Sequence, residues 1–112
     1  MRLEGKVALI SGAATGVEGH VMGFGGATAR LFVREGARVV VTDINEELGE
    51  KTVSQIREEG GDALFTRLDV TREQDWKDAV ALAVSQFGQL DVAVNNAGTG
   101  ARVHVLETTE EI

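Results

Sequence analysis

The chain has 112 residues, 43% of them hydrophobic and 26% charged, which excludes a wholly disordered polypeptide and leaves material for one domain at most. No apolar run approaches the roughly twenty residues of a membrane span, and without cysteine there are neither disulfides nor thiolate metal sites. The net charge of −7, from 18 acidic and 11 basic residues, has the wrong sign for a nucleic-acid binder.

The chain begins Met1-Arg2-Leu3-Glu4-Gly5-Lys6 and continues into only four apolar residues, Val7 to Ile10. That run is too short for a signal-peptide core, so the expected compartment is the cytoplasm. Bounded by Gly5 and Gly12, it reads instead as a strand buried on both faces, as in a parallel sheet. Seven of the 14 glycines then fall between positions 12 and 36: Gly12, Gly16, Gly19, Gly23, Gly25, Gly26 and Gly36. They mark a concentrated loop rather than a linker. Gly26 to Glu35 reads as a helix, with Ala27 and Leu31 four apart and Gly36 as its stop. Arg38 to Asp43 is a β-branched second strand. Asn45 can cap a helix from Glu46 to about Glu59, with Leu48, Thr52 and Ile56 on one face and Gly60-Gly61 ending it.

Ala63 to Leu68 reads as a third strand, and Thr71-Arg72-Glu73-Gln74 has the form of a capping box. The helix it opens carries Trp76, Ala79, Val80, Ala83 and Phe87 as an apolar stripe and stops at Gly88. Leu90 to Val94 is a fourth strand, followed by the turn Asn95-Asn96-Ala97-Gly98; Thr108 to Glu111 announces a further helix near positions 108–112. Strands alternating with helices predict an α/β fold, a Rossmann-like doubly wound parallel sheet of the form βαβαβαβ with strand order 3-2-1-4.

A glycine-rich turn from the first strand into a helix exposes backbone N–H groups at a helix N-terminus, where a dinucleotide pyrophosphate binds. An aspartate at a strand end is ordinarily just solvated. Asp43, closing the second strand 31 positions after Gly12, reads instead as the ligand of an adenosine ribose. His20 and His104 have no ligand partner at metal spacing, so no metal site is expected.

Ser11-Gly12-Ala13-Ala14-Thr15-Gly16-Val17, Leu68-Asp69-Val70 and Asn95-Asn96-Ala97-Gly98, in that order, resemble the motifs of the short-chain dehydrogenase/reductase family. The resemblance runs from Met1 to Ile112 but covers only the family's N-terminal, cofactor-binding half. It implies that the glycine loop cradles the pyrophosphate, that Asp69 holds the adenine, and that the Asn95–Gly98 turn supports the central sheet and lines the ribose side. The cofactor-binding residues expected on this basis are Gly12, Thr15, Gly16, Val17, Asp43, Ile44, Asp69, Val70, Asn96, Ala97 and Gly98.

The chain departs from the family pattern twice. The family spaces its glycines G-x-x-x-G-x-G, and the third position here holds Glu18. Removing Glu18 to Phe24 restores the pattern through Gly16-Val17-Gly25-Gly26, so residues 18–24 read as an insertion. Such an insertion is expected to move the helix N-terminus away from the phosphates, with Glu18 adding charge against the pyrophosphate, and so to weaken dinucleotide binding. The family's catalytic Ser, Tyr-x-x-x-Lys and helical Asn have no counterparts, and the chain has no tyrosine at all; no catalytic residue is assigned.

Two functions follow. In the first, the chain is the NAD(P)-binding half of an oxidoreductase that passes hydride between NAD and a carbonyl or secondary alcohol, with the small alcohol or ketone bound only by a full-length form. In the second, it is a non-catalytic nucleotide-binding or interaction module. Thr15 and Ile44, the positions where the family sets a cation for a 2′-phosphate, are both neutral, and Asp43 would repel that phosphate. NAD is therefore expected over NADP. With nothing paired against the fourth strand, the 112-residue chain is expected to self-associate.

Overall fold

A computed structural model describes residues 2–13 and 24–96. Four strands and three helices alternate along the chain: β1 (Val7–Ile10), α1 (Phe24–Arg34), β2 (Arg38–Asp43), α2 (Glu46–Glu58), β3 (Ala63–Arg67), α3 (Glu73–Phe87) and β4 (Val92–Val94). The sheet is parallel throughout, in the order β3-β2-β1-β4. This is the expected Rossmann-like topology.

β1 is the central strand, and its four residues are at most 1% exposed. Its side chains alternate between two cores. Ala8 and Ile10 join Val39 and Val41 of β2 against Ala29 of α1 and Val53 and Ile56 of α2. Val7 and Leu9 join Val40 and Leu68 against Ala79, Ala83 and Phe87 of α3. Two helices therefore cover one face and one helix covers the other, as right-handed crossovers require when the chain leaves β1 first in one direction and then in the other.

Local signals placed most boundaries. Asn45 caps α2, its side-chain oxygen accepting the Leu48 N–H at 3.1 Å. Gly88 closes α3 in a left-handed conformation, with its N–H on Val84 O. The pair that marks α1 in the sequence lies on its outer face. Ala27 and Leu31 both point to solvent, Leu31 being 53% exposed, and the buried face carries Gly25, Gly26, Ala29 and Arg30. Spacing by four marks the outer side of a helix as readily as the inner, and the buried arginine hides the true face from a hydrophobicity pattern. Arg30 lies between α1 and α2, with Nη1 3.1 Å from each carboxylate oxygen of Glu59 and Nη2 2.7 Å from Gln55 Oε1. The helix also starts at Phe24 rather than Gly26.

The capping box expected at Thr71 does not form. The N-cap of α3 is Arg72, with no side-chain cap bond, because the Thr71 hydroxyl is committed to Asp69. The Thr108–Glu111 helix signal lies outside the described residues.

At the N-terminal end of the sheet, side chains close the strands. Asp91 Oδ2 accepts the Val7 N–H at 2.9 Å and the Gln89 amide at 2.6 Å, while the same amide reaches Gly5 O. These bonds hold the Asp91 carboxyl below its ordinary pKa, the Val7 N–H contributing most. Arg38 lies over the Phe87 ring, 5.1 Å from its centroid.

Leu9 is fully buried in the α3-side core. Leu9→Ala should lower the unfolding free energy by about 3 kcal/mol. Urea denaturation should show a lower midpoint with an unchanged slope.

Candidate functional site

In an open parallel sheet the ligand crevice forms where neighbouring strands are reached by connections running in opposite directions, at the carboxyl ends of the strands. Here β1 lies between β2 and β4, with Ile10 level with Val41 on one side and Val94 on the other. The expected site residues sit just beyond those ends. Gly12 follows β1, Asp43 ends β2 with Ile44 after it, Asp69 and Val70 follow β3, and Asn96 follows β4. Thr15, Gly16, Val17, Ala97 and Gly98 lie outside the described residues, as do residues 18–23 of the segment read as an insertion; Phe24, its last residue, opens α1.

Gly12 has φ +64°, a conformation suited to glycine, and turns the chain out of β1. The first turn of α1 comes down directly on it. A Cβ at Gly25 would overlap the Gly12 carbonyl oxygen and lie 2.9 Å from Asn96 Nδ2. Only glycine allows that approach. Gly25 is the residue that occupies the third glycine position once residues 18–24 are set aside, so the α1 N-terminus remains seated against β1.

Ser11, absent from the expected set, joins both sides of the crevice. It is fully buried. Its N–H donates to Val94 O at 2.9 Å, its hydroxyl donates to Asn95 Oδ1 at 2.9 Å, and the same oxygen accepts the Asn96 N–H at 2.9 Å. The Asn95-Asn96 turn is thereby fixed to the start of the glycine loop. On the other side of β1, Ala13 N–H donates to Thr42 O at 3.1 Å, and the buried Thr42 hydroxyl donates to Ile10 O at 2.9 Å.

The two aspartates are linked through the backbone, since Leu68 N–H donates to Asp43 O at 3.0 Å. Asp43 Oδ1 also accepts the Asn45 N–H at 3.0 Å, joining this side chain to the cap of α2. Asp69 Oδ1 accepts both the hydroxyl and the N–H of Thr71, at 2.6 and 2.9 Å. These two donors hold the Asp69 carboxyl below its ordinary pKa, the hydroxyl contributing most. Trp76 does more than fill the core. Half-buried against the α3-side cluster, it donates its indole N–H to Val70 O at 3.0 Å. Among the described residues no group of His, Cys, Asp and Glu is placed to hold a metal, and no helix is long and apolar enough to cross a membrane.

The fold and the placement of these segments define a Rossmann-type α/β unit with its crevice at the carboxyl end of β1. The profile of the Enoyl-(Acyl carrier protein) reductase family matches residues 9–112. The chain belongs to the short-chain dehydrogenase/reductase family, whose members are NAD(P)-dependent oxidoreductases. It is 50% identical over 97 residues to 2,5-dichloro-2,5-cyclohexadiene-1,4-diol dehydrogenase LinX of Sphingobium indicum, covering 87% of this chain and 36% of that protein. It is 42% identical over 110 residues to cyclopentanol dehydrogenase of Comamonas testosteroni, covering 98% and 41%. The solved structure of a hydroxysteroid dehydrogenase from Escherichia coli superposes with a TM-score of 0.79 at 35% identity, over 97% of this chain and 45% of that one. The chain thus spans less than half the length of these relatives and corresponds to their N-terminal part.

Thr71→Val removes the larger cause of the Asp69 shift, so the carboxyl should move up toward its ordinary value of about 3.9. A carboxyl-¹³C titration by NMR checks this. Because the folded-state pKa is depressed, its contribution to stability is present above about pH 4 and is lost as pH falls through the folded value. That acid-side loss should shrink in Thr71→Val.

Proposed function

We propose that this chain forms the dinucleotide-holding part of an oxidoreductase that transfers hydride between NAD and a carbonyl or secondary alcohol. The observation that carries the reading is the close approach of Gly25 to the Gly12 carbonyl and the Asn96 side-chain amide, which leaves no room for a Cβ on the helix start where a pyrophosphate would approach the backbone. The residues present fit the group. Gly12, Thr15, Gly16 and Val17 would face the pyrophosphate at the start of α1, whose first turn contains no acidic residue. Asp43 would bond the adenosine ribose, with Ile44 beside it. Asp69 and Val70 would meet the adenine, and Asn96, Ala97 and Gly98 would line the ribose on the nicotinamide side. When bound, the nicotinamide supplies or accepts the hydride. The contribution of this chain is to bind and orient it.

The activities of the relatives support an alcohol carried on a ring as the substrate class of the whole protein, since one is a 2,5-dichloro-2,5-cyclohexadiene-1,4-diol dehydrogenase and another a cyclopentanol dehydrogenase. We place the choice of NAD over NADP on Asp43, a carboxylate at the end of β2 that would face a 2′-phosphate, with the neutral Ile44 beside it. Calorimetry should give a preference of about 2 kcal/mol for NAD, the order of one adverse charge contact. Asp43→Ala combined with Ile44→Arg should narrow or reverse it. Tighter NADP binding by the unmodified protein would overturn the assignment of Asp43.

The 112-residue chain is also proposed to self-associate along β4, which among the described residues pairs only with β1. Size-exclusion chromatography should show a species larger than 11.9 kDa, and a sharp monomer peak would contradict this.

A further inference from the structure

The first turn of α3 reaches back onto the segment before it. An acid at the third position of a helix ordinarily returns to the N–H of the cap residue. Asp75 holds that position in α3 but bypasses Arg72: its Oδ2 accepts the N–H of Asp69 at 2.9 Å, three residues before the cap. One residue on, the Trp76 indole N–H holds Val70 O at 3.0 Å, with its ring anchored against the α3-side core. Thr71 gives both its donors to Asp69 Oδ1, and the Leu68 N–H on Asp43 O fixes the other end.

These bonds converge on one outcome. Residues 68–71 are held from both ends, one oxygen of the Asp69 carboxylate is saturated, and the other, Oδ2, has no partner among the described residues. An ionised carboxylate oxygen can only accept. Held in place, it suits an N–H donor and opposes a carbonyl.

We propose that Asp75 and Trp76 are positioning residues that fix Asp69 Oδ2 for an amino donor, so that the protein distinguishes a 6-amino purine from a 6-oxo purine in its dinucleotide. This rests on the reading of Asp69 as the adenine-side residue. Adenine presents a donor to the fixed oxygen. Hypoxanthine presents its carbonyl oxygen, and two acceptors then face one another. If the segment were loose, Asp69 could turn away from the 6-oxo base and the distinction would fade.

The test measures NAD and nicotinamide hypoxanthine dinucleotide binding by calorimetry, on the unmodified protein and three variants. The unmodified protein should bind NAD about tenfold more tightly, the order of one mismatched hydrogen bond to a charged group. Asp75→Ala removes the acceptor for the Asp69 N–H, and Trp76→Phe keeps a ring but removes the donor to Val70. Each should bring the ratio to within about threefold. Asp75→Asn keeps an amide oxygen and should retain the parental ratio. Equal weakening of both ligands in Asp75→Ala, with the ratio unchanged, would reduce the residue to a merely structural role and overturn the proposal. A second measurement needs no ligand: amide exchange at Asp69 should quicken about tenfold in Asp75→Ala while Val40 and Leu9 stay protected. Unchanged exchange would overturn the clamp itself. If the unmodified protein bound neither dinucleotide while the exchange result held, the assignment of Asp69 to adenine would fall and take base recognition with it.

Discussion

Beyond the end of β1 two stretches of backbone and one side-chain amide come together with no space for a Cβ on the helix start. Gly12 turns out of the strand, Gly25 in the first turn of α1 rests on the Gly12 carbonyl, and the Asn96 amide lies against the same spot. The rest of the crevice is organised around that contact. Ser11, one residue before it, ties the Asn95-Asn96 turn to β1, and Ala13, one residue after it, is bonded to β2 through Thr42 O. The central strand therefore positions both walls through its own next three residues. A side chain at Gly25 would separate the helix terminus from the turn it faces.

The outer part of the crevice is built differently, by helix termini acting on the segments beside them. Asp43 shares its carboxylate with the N–H of Asn45, the cap of α2, so the strand end and the helix start form one unit. Asp69 is held by Thr71 and by the first turn of α3. The Leu68–Asp43 bond joins the two units. The sheet supplies the floor, and the helix starts supply rigidity at the rim.

Much of this was legible in the sequence, for a definite reason. Continuous burial of Val7 to Ile10, the β-branched run of β2, the Asn45 cap and the Gly88 stop are local signals, each acting within a few residues of itself. The order β3-β2-β1-β4 follows from the handedness of the connections, and the three motifs place the crevice. What escaped was non-local or competitive. The Ser11 hydroxyl finds Asn95 84 positions away, and no spacing marks such a pair. Thr71 had two uses for one hydroxyl, and the bond to the Asp69 carboxylate, the more strongly polar partner, displaced the helix cap. Asp75 carries no motif of its own, and Trp76 read as part of an apolar stripe alone. The inner face of α1 was lost because a charged residue occupies it.

That residue, Arg30, has an evolutionary consequence. Only 5% exposed, it lies in the seam between α1 and α2 and meets Glu59 through a two-oxygen ion pair and Gln55 through a third bond. Such an arrangement resists stepwise replacement: loss of Glu59 alone strips a buried cation of its counter-ion, while an apolar residue at position 30 takes from Gln55 and the half-exposed Glu59 the partner they share. Positions 30, 55 and 59 should therefore drift together through the lineage, as a single inherited unit stretched across two helices.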